Sequence, residues 1–138
     1  MIKTLLETIN LKKTYDHKNG VIELFNNVNV RIKAGDLVAL VGPSGSGKSS
    51  FLHLLALLDN PSKGKILLKD RDTKNLTDLE KDFVRRKNIS IIFQDNNLLT
   101  DFTAIENVIM PLIIRDANIS KSMKKAKQVL KDIKIDNR

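Results

Sequence analysis

VGPSGSGKSS occupies residues 41–50, between the apolar run Leu37–Val41 and the segment FLHLLALLD at 51–59. Gly42-Pro43-Ser44-Gly45-Ser46-Gly47-Lys48-Ser49 matches G-x-x-x-x-G-K-[ST] at every fixed position. Phosphate oxygens need several backbone N–H groups converging on one point. Glycines at 42, 45 and 47 allow that turn and leave room for the anion. The helix that opens near Lys48 adds its positive dipole end. Lys48 would reach the β- and γ-phosphates, and the Ser49 hydroxyl would ligate Mg²⁺. Gly42 through Ser50, with Pro43, Ser44 and Ser46 between the glycines, is therefore the candidate cofactor-binding set. The loop implies a nucleoside triphosphate with Mg²⁺. It identifies neither the base nor the reaction.

Outward from the loop, the chain reads as alternating elements. Residues 4–15 and 21–33 suit two strands of a hairpin, because DHKNG at 16–20 has turn chemistry. Val28, Val30 and Ile32 alternate with polar residues, as in a half-buried strand. Ala34-Gly35-Asp36 is a turn, and Leu37–Val41 reads as a strand buried on both faces. Residues 49–58 place Phe51, Leu54, Leu55 and Leu58 on one helical face, ended by Asp59-Asn60-Pro61. A short strand is expected at 65–68. Thr77-Asp78-Leu79-Glu80 is a capping box that opens a helix to about Lys87. NISIIF at 88–93 reads as a second buried strand. Thr103-Ala104-Ile105-Glu106 is another capping box, and its helix carries Ile105, Val108, Ile109 and Leu112 inward. Pro111 should kink that helix or remove a hydrogen bond. Ile119, Met123, Ala126, Leu130 and Ile133 mark a last amphipathic helix with a lysine-rich, solvated outer face. The alternation predicts an α/β fold with a parallel core and an antiparallel element at the N-terminus.

Composition narrows the function. The 138 residues amount to one domain, and a 41% apolar content supports a packed core. No cysteine is present, which excludes disulfides and thiolate metal sites. MIKTLLETIN does not have the pattern of a secretory signal. The apolar runs are too short and interrupted to span a bilayer, so the expectation is a soluble chain without its own anchor. The net charge of +8 raises nucleic-acid binding. The lysines, however, are spread along the chain, and the five phenylalanines and one tyrosine do not interleave with them. A solvated basic surface is the better reading, with no nucleic-acid partner and a secondary attraction to an anionic membrane face.

Two further residues bear on the loop. Tyr15, the only tyrosine, ends the first strand in LKKTYD. On its own it reads as a strand-edge residue, or as the flat partner an adenine needs. Gln94 closes ISIIFQ, where a carboxamide at a strand's carboxyl end faces the ligand crevice of α/β folds. It reads as a loop residue or as a contact to Mg²⁺ and the attacking water.

A tyrosine near the start, then NVNVRIKAGDLVALVGPSGSGKSS, then ISIIFQ, resembles the ATP-binding subunit of ABC transporters across essentially the whole chain. The order and spacing match that family's adenine-stacking loop, Walker A motif and Q-loop. The resemblance thus implies an ATP and Mg²⁺ site in which Tyr15 stacks on the base. In it Gln94 positions metal and water, and Ser49 with Gln94 forms the metal set. FLHLLALLDNPSKGKILL and NNLLTDFTAIENVIMPLII resemble one branch, which includes lipoprotein-releasing, macrolide-export and cell-division ATPases. The second stretch is most similar to the lipoprotein-releasing kind. The resemblance implies a homodimer of full-length subunits beneath transmembrane permease subunits, peripheral on the cytoplasmic face of the inner membrane. It also implies that 1–94 is a β subdomain with the P-loop core and that 95–138 begins a helical subdomain. The polar loop 95–101 would meet the permease.

The sequence departs from the family in one respect. It stops at Asp136-Asn137-Arg138, ahead of the place of the LSGGQ signature, Walker B aspartate, catalytic glutamate and switch histidine. Leu54-Leu55-Ala56-Leu57-Leu58-Asp59 imitates Walker B but lies on the helix leaving the loop. His53 and His17 fit packing and turn roles. The expectation is the N-terminal half of a longer subunit, with little ATP hydrolysis alone. An open apolar edge at Leu37–Val41 should make its fold marginal and prone to associate. A non-catalytic nucleotide-binding module is the alternative. A small kinase is disfavoured, because Arg85-Arg86 is the only clustered arginine pair.

Overall fold

A computed structural model describes residues 3–18, 20–116 and 118–135. Asn19 of the expected turn and the closing residues 136–138 lie outside them. The chain groups into two compact units, Met1–Arg85 and Arg86–Arg138.

The first unit is built on a hairpin longer than the sequence suggests. β1 (Thr4–His17) and β2 (Gly20–Lys33) pair antiparallel, with Leu6 opposite Ile32, Thr8 opposite Val30 and Leu11 opposite Val28. β3 (Lys63–Leu68) adds to the other side of β1, and the two-residue β4 (Arg71–Asp72) adds to β3. The order is β2-β1-β3-β4. Register shifts interrupt both β1 ladders near Asn10, whose φ is +48°. Gly64 faces that irregularity with φ +82°, and a Cβ there would lie 2.4 Å from the Asn10 carbonyl oxygen. Only glycine lets the two backbones approach so closely. Buried Thr8 bridges to β2: its Oγ1 donates to the Val28 carbonyl at 3.1 Å and accepts from the Val30 N–H at 2.9 Å.

α1 (Lys48–Leu55) packs on this sheet. Phe51 and Leu54 join Leu11 and Ile66 in the core, flanked by Leu6, Phe25, Val28, Val30 and Leu55. The helix stops sooner than its periodicity predicts. Leu57 turns to φ +57°, and the Leu57 and Leu58 N–H groups donate to the carbonyls of Leu54 and His53. Leu58 is left exposed while Leu57 is buried. α2 (Asp78–Asn88) starts at its capping box: the Thr77 N–H and hydroxyl donate to Glu80 Oε2, each at 2.8 Å.

In the second unit, α3 (Ala104–Asp116) opens at the other box and continues through Pro111. α4 (Ile119–Asp132) is capped by Asn118, which accepts from the Lys121 N–H at 2.9 Å. α3 and α4 pack together, with Ile109 buried on one and Ser122, Ala126 and Leu130 on the other. The lysines of α4 that lie between those positions are exposed, as its pattern predicts, but Ile119 and Ile133 at its ends are exposed too.

Two expected strands differ. Leu37–Val41 and 88–93 form no strand: Asn88 ends α2, 89–93 have no strand pairing, and Leu37 and Ile92 are fully exposed. An apolar run becomes a strand only when a neighbour takes up its N–H and C=O groups. Among the described residues the four paired strands all belong to the antiparallel sheet, and the expected parallel pairing is not among them. Among the described residues no helix is long and apolar enough to cross a membrane.

Candidate functional site

The 42–49 loop is set by the core beneath it. Phe51 meets Phe25 edge to face, with ring centroids 5.6 Å apart, and so fixes the first turns of α1 against β2. Gly47 is the N-cap in the left-handed region, φ +82°, and makes no side-chain cap. A Cβ at that position would meet Phe25 Cδ1 at 3.1 Å and Leu24 Cβ at 3.3 Å. The Phe51 N–H donates to the Gly47 carbonyl at 2.8 Å, closing the first helical turn. The first-turn N–H groups of Lys48, Ser49 and Ser50 have no intrahelical acceptor, and no acidic residue lies in that turn. An uncapped, acid-free helix start next to a glycine loop suits an anion.

Lys48 Nζ donates to the Gly42 carbonyl at 2.9 Å and the Pro43 carbonyl at 2.6 Å. Its ammonium is thereby folded over the loop, where phosphate oxygens would replace the carbonyls as acceptors. Pro43 and Ser46 close the loop, the Ser46 N–H donating to the Pro43 carbonyl at 3.3 Å. Ser44, Gly45 and Ser49 are exposed, and Ser50 is partly buried. The described residues contain no cluster of three His, Cys, Asp or Glu able to hold a metal. Mg²⁺ would fit here as it usually does beside phosphates, on one hydroxyl (Ser49) and the nucleotide's own oxygens.

Tyr15 lies in the same unit, near the end of β1, and is 42% exposed. Its hydroxyl donates to Asp59 Oδ2 at 3.0 Å. Lys13 Nζ, nearly buried, sits 2.7 Å from the same oxygen, donates to the Asn60 carbonyl at 2.9 Å and lies 4.6 Å from the Tyr15 ring centroid. Burial alone would raise the Asp59 carboxyl. Hydrogen bonds from Lys13, the Asn60 N–H and Tyr15 outweigh it and hold the group below the usual aspartate range. Ser62 reinforces the seam, accepting from the Thr14 N–H and hydroxyl, both at 3.0 Å.

Sequence reasoning singled out Tyr15 but missed Lys13, and it weighed Asp59 as part of a helix stop and as an imitation of Walker B. The available signal was the i, i+2 spacing of Lys13 and Tyr15, which puts both on one face of a strand. Gln94 lies in the second unit, exposed, in a bend after the unpaired run 89–93. Asn107 of α3 was also missed. Its side chain accepts from the Leu99 N–H at 2.8 Å and donates to the carbonyls of Leu99, Phe102 and Thr103, which pins the loop before the helix.

Comparison with known proteins identifies the family. Residues 25–138 match the family described as ABC transporter. The lipoprotein-releasing system ATP-binding protein LolD of Hyphomonas neptunium is 37% identical over 138 residues, all of this chain and 60% of that protein. The LolD of Wigglesworthia glossinidia brevipalpis is 37% identical over 97% of this chain and 58% of its own length. The chain thus spans about 60% of the curated relatives it matches. Among solved structures, a dimeric ATP-binding cassette in a post-hydrolysis state, bound to ADP and Pi, superposes with a TM-score of 0.85. It is 37% identical over 92% of this chain and 56% of its own. A P-loop core of α/β class, LolD-like in sequence and cassette-like in structure, places the chain in the ABC transporter family.

Proposed function

We propose that the chain is the phosphate-gripping part of a lipoprotein-release ATP-binding subunit. It binds ATP with Mg²⁺ and works with transmembrane permease subunits at the cytoplasmic face of the inner membrane. The observation that carries the reading is the 42–50 loop itself: an uncapped helix start, held by Phe51 and Leu54, with Lys48 folded over it. Residues 42–50 hold the phosphates, Ser49 the metal, and Tyr15 the base. Gln94 positions metal and water, a role taken from the resemblance and not from a measured distance. Residues 1–94 serve as the β subdomain and P-loop core, and 95–138 as the start of a helical subdomain that meets the permease through the 95–101 loop. Lipoprotein release and pairing of two subunits are what the relatives' names and the dimeric cassette support for this chain.

Positioning of phosphate and metal is one part of phosphoryl transfer, and orientation of the attacking water is another. The 42–50 loop supplies the first, and among the described residues no carboxylate is bonded to it, so binding should exceed turnover. Calorimetric titration of the 138-residue chain with Mg-ATP tests the site. Lys48→Ala should weaken binding at least about tenfold, the loss of one charge-assisted phosphate contact. Phosphate release should stay at background. Unchanged binding in Lys48→Ala would overturn the site, and a Lys48-dependent turnover would overturn the claim of binding without hydrolysis.

A further inference from the structure

We infer that Lys13 and Asp59 form a clamp that positions the Tyr15 ring for a purine base and fixes its distance from the phosphate loop. The inference rests on the reading of Tyr15 as the base-stacking residue and adds what holds it.

Tyr15 projects near the end of a strand, where an exposed ring would ordinarily sample several rotamers. Here it is held at two points. The hydroxyl is tied to Asp59 Oδ2 at 3.0 Å, and the Lys13 ammonium covers one face at 4.6 Å from the centroid. With one face taken and the ring 42% exposed, the opposite face is the one left to stack on a flat ligand. The clamp is itself fixed. Lys13 is 7% exposed, and its ammonium is shared between Asp59, the Asn60 carbonyl and the ring. Asp59 Oδ1 accepts from the Asn60 N–H at 2.7 Å.

Placement gives the clamp its second effect. Asp59 follows α1 by way of the 56–58 turn, which closes through the Leu57 and Leu58 N–H groups. The start of α1 is the phosphate loop, so one short rigid helix separates the anion grip from the anchor of the ring. A nucleotide has a base-to-phosphate span set by its ribose. A ring anchored to the far end of the same helix would be preorganised to that span, and the ordering cost falls before binding instead of during it. A merely structural Lys13–Asp59 pair would fasten β1 to the turn without requiring the Tyr15 hydroxyl.

The test uses the 138-residue chain and two probes, Mg-ATP and Mg-tripolyphosphate, which carries phosphates but no base. Wild type is compared with Tyr15→Phe, Asp59→Ala and Tyr15→Ala by calorimetry, with thermal unfolding of each variant alongside. Tyr15→Phe keeps the ring and loses only the tether. It should weaken Mg-ATP about three- to tenfold, the range of one ring-stacking interaction, and leave tripolyphosphate unchanged. Asp59→Ala should do the same, and the double variant Tyr15→Phe/Asp59→Ala should be no worse than either single one. If Tyr15→Phe and Asp59→Ala bind Mg-ATP like wild type while Tyr15→Ala is weakened, the clamp is overturned and stacking stands. If Tyr15→Ala also binds like wild type, the stacking reading falls and the clamp with it. Equal loss of both probes in Asp59→Ala, with a lowered unfolding temperature, would mark a structural role and overturn the clamp.

Discussion

At residue scale, the site depends on a few backbone positions that admit no substitute. Gly47 combines φ +82° with a Cβ approach of 3.1 Å to Phe25. Alanine there would have to adopt the left-handed region and push against the ring that seats α1. Gly47→Ala should therefore cost about 1–3 kcal/mol of stability, read by urea unfolding, and should weaken Mg-ATP binding at the same time. A variant as stable as wild type would show that the loop can shift aside. This residue was legible in the sequence, because the motif's spacing dictates glycine there. Lys13 and Asp59 were not, because they lie 46 positions apart and meet only when β1 folds against the turn after α1. Motifs record what a local stretch must do. They do not record which distant side chain holds it.

At element scale, the legible features are again the local ones. Both capping boxes form as the Thr-x-x-Glu spacing predicts. In each, the threonine hydroxyl and N–H donate to the glutamate three residues on, and the glutamate N–H returns a bond to Thr Oγ1 at 3.3–3.4 Å. Glu80 is held below the usual glutamate range by the Thr77 N–H and hydroxyl, and Glu106 by the Thr103 hydroxyl and N–H. A depressed folded pKa gives stability that is present above the unfolded value and lost as pH falls through the folded one. The far-UV circular dichroism of the helices should then hold from neutrality to about pH 5 and decline below the ordinary glutamate range. Thr77→Ala with Thr103→Ala removes the two hydroxyl donors and leaves the two N–H donors, so the acid-dependent part of the decline should shrink without vanishing. An unchanged acid profile in that double variant would place the transition elsewhere. The runs Leu37–Val41 and 89–93 carry equally strong local signals, yet neither is a strand. A strand is a property of a pair, and pairing partners are not encoded within five residues.

At the scale of the whole molecule, those unpaired runs set how the chain behaves in solution. Leu37, Val38, Leu40, Val41, Ile91, Ile92 and Phe93 are all exposed. Burial of a side chain of this kind is worth about 1.5–3 kcal/mol. Several left in water forgo a sum comparable to the entire net stability of a domain, about 5–15 kcal/mol. Apolar backbone without strand partners is also a template for pairing with another chain. The net charge of +8 opposes that association by repulsion, which salt screens over a Debye length of about 10 Å at 0.1 M. Light scattering behind size exclusion should therefore show association that grows with protein concentration and with added salt. Leu37→Ser combined with Ile92→Ser removes two fully exposed apolar side chains and touches neither the phosphate loop nor the core cluster. This pair should shift the chain toward monomer while Mg-ATP binding persists. A wild-type chain that stays monomeric at high salt, with one sharp thermal transition, would mean that the exposed runs do not govern self-association. If the serine pair associates as strongly as wild type, the sticky surface lies elsewhere, and the exposed ends of α4, Ile119 and Ile133, are the next to substitute.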